Sequence, residues 1–134
     1  MKGFEPMSLK IWEVNGLSLE LDLDDADVME RYEKAFDVMS AEEKTLPKDG
    51  KGSEQIRAYC QMFRTLYDNI FGKGTAEKIF KDVPTSTSAY DDIYFSFLDA
   101  VQRIKTAAIQ SRAERLAKYK PTNRQQKRAA AKKK

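Results

Sequence analysis

Residues 9–23 read LKIWEVNGLSLELDL, two alternating apolar runs on either side of Asn15-Gly16. A two-residue type I′ turn needs positive φ at both central positions, and Asn-Gly tolerates this best, so the segment is predicted to close as a β-hairpin. The turn also fixes the register. Val14 falls opposite Leu17 and Trp12 opposite Leu19, with Leu21 and Leu23 continuing the apolar face, while Ser18, Glu20 and Asp22 point away. A lone hairpin is marginal in water, so this face needs a cover from helices or from another chain.

The following residues offer helices. Asp24 and Asp25 stand as N-caps before Val28, Tyr32, Ala35, Phe36 and Met39, which recur at helical spacing to about Ser40. The Pro and Gly of residues 45–52 (TLPKDGKG) mark a loop. Ser53 is expected to cap a second helix with Ile56, Tyr59, Cys60, Phe63, Leu66, Tyr67 and Ile70 as its buried stripe and Gly72 as its stop. A short third helix over 75–81, with Ile79 and Phe80 inward, ends before Pro84. From Ser88 to about Tyr119 a long helix starts on Tyr90, Ile93, Tyr94, Phe97, Leu98, Val101 and Ile104, with Asp91 and Asp92 in its first turn. Beyond Lys105 its apolar positions thin to Ala107, Ala108, Ile109, Ala113 and Leu116, so this half is expected to project from the body. Pro121 ends it.

The fold class expected is therefore mainly α: an N-terminal β-hairpin, three to four helices and a disordered basic C-terminal tail. A chain of 134 residues holds one modest core. The expected division is a flexible extension over 1–7, one hairpin-plus-helix domain over 8–119 and the tail over 120–134. Met7-Ser8 would serve as a start, which makes the first six residues an upstream extension outside the fold. Those residues lack the apolar stretch of a signal peptide, no apolar run reaches membrane-spanning length, and the single Cys60 forms no internal disulfide. The expectation is a cytoplasmic protein without a membrane partner.

Charge is unevenly spread. Eight basic residues and no acid lie from Lys118 onward, leaving sixteen basic against twenty-one acidic residues in the rest. An acidic body with a basic end can attract its own copies, so a homo-oligomer is among the expected assemblies.

Catalytic chemistry finds little to work with. The chain has no histidine, which removes the commonest general base and metal ligand. Cys60 sits on an apolar stripe without an activating imidazole and reads as a core thiol. The carboxylates of residues 22–27 (DLDDAD) lack the glycine and distal glutamate of a calcium loop and read as caps. The two loops Gly50-Lys51-Gly52-Ser53 and Gly72-Lys73-Gly74-Thr75 suggest anion sites at helix starts, but neither has the leading glycine of a P-loop, and both read as linker plus N-cap. No catalytic residue, cofactor or metal site is assigned, and the protein is expected not to be an enzyme. Candidate protein-binding residues are Trp12, Tyr94, Arg112, Arg115, Leu116 and Tyr119. The alternative is a nucleic-acid-binding accessory or regulatory protein that neutralises phosphates with Lys118, Lys120, Arg124, Lys127, Arg128, Lys132, Lys133 and Lys134.

The strand pair KIWEVNGLSLEL, the acidic helix start DLDDADVMERYEKAFDVM, a helical body and the ending NRQQKRAAAKKK together resemble the tail assembly chaperones of long-tailed bacteriophages and related prophages, particularly those of Gram-positive hosts. The resemblance covers most of the chain from Met7 onward and brings no catalytic or ligand motif. It implies a non-enzymatic role in the host cytoplasm: binding the helical, aggregation-prone tape measure protein and keeping it soluble until the tail tube protein polymerises around it. It also implies a longer form made by a programmed ribosomal frameshift. Lys132, Lys133 and Lys134 require an A-rich message, which a suitable Ala131 codon would complete as a slippery sequence.

Overall fold

The computed structural model describes residues 10–119. The expected extension over 1–7 and the basic tail over 120–134 lie outside them. The chain runs as β1 (Ile11–Val14), β2 (Leu17–Glu20), α1 (Ala26–Lys44), α2 (Gly52–Phe71), α3 (Thr75–Ile79) and α4 (Thr87–Tyr119). Among the described residues the fold is the mainly α one expected, a two-stranded antiparallel hairpin followed by four helices.

The hairpin closes as its turn dictates. Asn15 and Gly16 have φ of 49° and 80°, and the pairs are Trp12 with Leu19 and Val14 with Leu17. Trp12, Val14, Leu21 and Leu23 are all buried. The cover for this face is the chain's own helices. The Trp12 ring lies 5.4 Å from Tyr67 and 6.0 Å from Phe71 on α2, and 5.0 Å from Phe97 on α4. Its indole N–H donates to Ser96 Oγ at 3.0 Å, so the one polar atom of the ring is satisfied while its carbon surface is buried. Further bonds pin the hairpin at both ends: Arg103 Nη2 donates to the Ile11 carbonyl at 2.8 Å, and Asn15 Nδ2 donates to the Ile79 carbonyl at 2.8 Å.

α1 packs most extensively on α2. Its cap is Asp25, whose Oδ2 accepts from the Val28 N–H at 3.0 Å. The helix continues to Lys44, one turn past the expected end, and Ala35 is its fully buried contact. Arg31 Nε reaches the Ile70 carbonyl at 3.1 Å and satisfies an acceptor near the end of α2. Between α2 and α4, Phe80 stacks on Tyr90 at 3.9 Å, Arg64 Nε donates to Tyr90 Oη at 2.9 Å, and the Arg64 guanidinium lies 5.4 Å from the Phe80 centroid. No helix among the described residues is long and apolar enough to cross a membrane.

Three local expectations are corrected. Ser53 is not the cap of α2: the helix begins at Gly52 after Lys51, whose carbonyl accepts from both Glu54 and Gln55 N–H at 3.1 Å, so Ser53 is already inside the first turn. Ile56 is 40% exposed because the buried run of α2 starts only at Cys60, and the helix overhangs the core at its start. Asp91 and Asp92 miss the first turn of α4, which begins at Thr87 with Ser86 Oγ accepting from the Ala89 N–H. Asp91 instead accepts from Tyr59 Oη at 2.6 Å.

Two measurements check this packing. Trp12→Ala is expected to lower unfolding free energy by about 3–5 kcal/mol in urea titration, and Trp12→Phe by less, because the smaller ring keeps part of the contact while losing the rest of it and the indole hydrogen bond. Tyr59 is pushed up to about 12 from the ordinary phenol value of 10.0 by burial, then by the hydrogen bond and charge of Asp91. Between pH 10 and 12 the unfolded chain ionises this phenol while the folded chain holds its proton, so the unfolded state binds fewer protons there. The Tyr59 contribution to stability is therefore present below pH 10 and lost as the pH rises toward 12. Tyr59→Phe is expected to show a shallower loss than wild type over that window in a pH series of denaturation curves.

Candidate functional site

α4 changes character along its length. Tyr90, Phe97, Ala100, Val101 and Ile104 are buried, and beyond Ile104 no described residue of the helix is. Ile109 is 70% exposed, Leu116 40% and Tyr119 71%. The sequence reason is the replacement of the large apolar stripe by Ala107, Ala108 and Ser111, whose short side chains leave a trough along one side of the helix. Ile104 forms its inner end, Arg112, Arg115, Leu116 and Tyr119 its outer part, and Lys10 and Asp24 at the two ends of the hairpin close its flank; the volume is about 500 Å3. A second depression of about 210 Å3 shares Lys10, Asp24, Ile104 and Ala108 with it and extends to Leu23, Met29 and Ile109.

This trough collects four of the six candidate protein-binding residues, Arg112, Arg115, Leu116 and Tyr119. Arg112 and Arg115 are exposed and form no ion pair among the described residues. The other two candidates lie elsewhere. Trp12 is 1% exposed and has no surface to present to a partner, because its ring is the contact between hairpin and helices. Tyr94 is half-buried, 4.8 Å from the Phe63 ring, and burial raises its phenol, with Glu43 adding to the shift. Lys118 is exposed with its ammonium 5.4 Å from the Tyr119 centroid. The remaining nucleic-acid candidates, Lys120, Arg124, Lys127, Arg128, Lys132, Lys133 and Lys134, lie outside the described residues.

Sequence reasoning missed Lys10 and Asp24, which reach the trough from strand ends far away in sequence, a proximity that only the docked hairpin creates. It also missed Phe95, 58% exposed. The signal was available there, because Phe95 is the one aromatic of its helix half that stands off the stripe of Tyr90, Tyr94, Phe97 and Val101.

The residues weighed for chemistry have structural employment. Cys60 is 1% exposed, and burial pushes its thiol up, with Arg64 lowering it and Asp91 adding a smaller upward push. Such a thiol is a poor nucleophile at neutral pH. Asp22 accepts from the Asp24 N–H and pairs with Lys10 Nζ at 3.5 Å, while Asp25 caps α1. Among the described residues no group of three or more metal-ligating side chains converges. At the second Gly-Lys-Gly loop, Asp68 Oδ1 accepts from the Ala76 N–H at 2.8 Å, so a carboxylate already occupies the start of α3. At the first, Glu54 stands in the first turn of α2 near Gly50.

Among the described residues, the hairpin, the four helices and the trough make a small helical protein with an exposed basic and apolar arm. The chain belongs to a family of unknown function, DUF6673, which matches residues 15–131. No curated protein and no solved structure matches the chain.

The division of α4 has a direct consequence for stability. Leu116→Ala and Tyr119→Ala are expected to change unfolding free energy by less than about 0.5 kcal/mol, as surface substitutions do. Ile104→Ala is expected to cost about 2–5 kcal/mol by leaving a cavity at the last buried turn. Chemical denaturation of the three variants separates the two halves of the helix.

Proposed function

We propose that the chain is a tail assembly chaperone of a long-tailed phage or prophage, a non-enzymatic protein that binds the tape measure protein and keeps it soluble until the tail tube assembles. The observation that carries the reading is the trough on the far half of α4. It is apolar along its floor and lined by Lys10, Arg112 and Arg115 with Asp24 as its one acid, and a helical client would lay its apolar positions against Ile104 and Leu116. The order of elements, an N-terminal hairpin, an acidic helix start and a helical body, is the layout of the chaperones that the sequence resembles. A frameshifted longer form belongs to the same proposal.

The competing reading is a nucleic-acid-binding accessory protein. It is favoured by twelve basic residues against one acid over residues 103–134. The two separate on where binding resides. A phosphate-neutralising tail loses affinity steeply with salt and loses it altogether on deletion of residues 121–134, whereas client binding through the trough survives that deletion.

Co-expression with the tape measure protein of the same phage or prophage tests the proposal. The client is expected to be recovered soluble and co-purified only when this chain is present, and Leu116→Asp is expected to abolish the effect while leaving the chain folded. A client equally soluble, or equally aggregated, with and without the chain would contradict the chaperone reading.

A further inference from the structure

The trough has a match on the same molecule. The solvent-exposed side of α1 carries Asp27, Glu30 and Asp37, with Val38, 41% exposed, beside them. Asp27, Glu30, Asp37 and Val38 fall within about 100° of one another around the helix axis, at the 3.6-residue repeat. The only ion pair on this face among the described residues is Glu30 with Lys34, at 3.5 Å on the same helix. This face is therefore an acidic helix surface with Lys34 near its middle and one apolar residue, Val38, at its edge. The trough is its complement, with Arg112 and Arg115, which form no ion pair among the described residues, beside Leu116.

Charge segregates at the scale of the whole chain in the same sense. Residues 10–102 hold nineteen acidic and eleven basic residues, and residues 103–119 hold one acidic and five basic. Two copies side by side with their ends aligned would place like charges together. Two copies arranged head to tail bring the basic arm of one onto the acidic body of the next, which is the attractive arrangement.

We propose that the trough on the far half of α4 binds the outer face of α1 from a second copy, giving head-to-tail self-association. The two surfaces of this contact are different, so each bound copy leaves one trough and one α1 face free. Association therefore continues into a longer chain unless the geometry closes a ring. Exposed ion pairs around an apolar contact weaken as salt rises, so the assembly loosens with ionic strength. The inference rests on the trough and not on the chaperone reading. If the trough also takes a client, client and second copy compete for it.

The test is sedimentation velocity of the full chain without client. Wild type is expected to sediment faster as concentration rises at low salt and to return to monomer at high salt. Arg112→Glu with Arg115→Glu, and separately Glu30→Lys with Asp37→Lys, are each expected to weaken association at least about tenfold, with the far-ultraviolet circular dichroism and thermal transition of each variant showing it folded. Mixed in equal amounts, the two variants, each defective alone, are expected to associate again. The intact α1 face of the first meets the intact trough of the second, and the two reversed surfaces are again opposite in charge.

A wild-type chain that is monomeric at every concentration and salt would overturn the proposal. So would association that survives both reversals, which would assign it to the basic end of the chain or the hairpin edge, or a mixture that stays monomeric. A monomeric wild type that still holds a client through Arg112 and Arg115 would assign the trough to the client alone. Failure of client solubilisation leaves this result untouched, so the two readings fail separately.

Discussion

The position of Trp12 is the contact on which the arrangement depends. A two-stranded hairpin has no independent stability, and this one is held because its largest side chain enters the space between α2 and α4, against Tyr67, Phe71 and Phe97. The single polar atom of the indole is met by Ser96, so the ring is buried without an orphan donor. From that contact follows the place of both hairpin ends, since Arg103 holds the Ile11 carbonyl and Lys10 and Asp24 come to lie beside α4. The hairpin thus covers the core and forms one wall of the trough. The residue expected at a protein interface is instead the one that builds the site around which the interface is proposed.

The second constraint is that α4 is longer than the core it serves. Its first half is fixed by large side chains as far as Ile104, and its second half keeps the helical period with small and charged residues. A helix that extends beyond its packing partners depends on its own propensity and on whatever docks against it. Ala107, Ala108, Ala113 and Ala117 are strong helix formers and leave the surface open. The same residues that let the arm stay helical therefore leave open the surface on which a partner helix is proposed to dock, with Arg112 and Arg115 exposed beside it.

Much of this was legible before the structure. The hairpin register followed from Asn15-Gly16 and a period of two, because a one-residue slip would have turned Trp12 and Leu21 to solvent. The thinning of the stripe after Lys105 correctly marked the half of α4 that leaves the core. What periodicity could not report was where a neighbouring helix stops. Ile56 lies in phase with Tyr59, Cys60 and Phe63 but beyond the reach of the core, and is exposed for that reason. Nor could local signals choose between Ser53 and the residues before it as the start of α2, because the choice was made by the Lys51 carbonyl and not by a side chain. The candidate site was half legible: its α4 side was named from composition, and its hairpin side arises only in three dimensions.

The central claim is that α4 is one helix with two roles, a first half locked into the core by Trp12 and a second half free for a partner. Native-state hydrogen exchange resolved along α4 tests this most directly. Amides from Phe97 to Ile104 are expected to exchange only through global unfolding, and those from Ala108 to Tyr119 through local opening at much lower free energy. Equal protection across the whole helix, in the monomer and without a partner, would contradict the account and place the far half of α4 in the core.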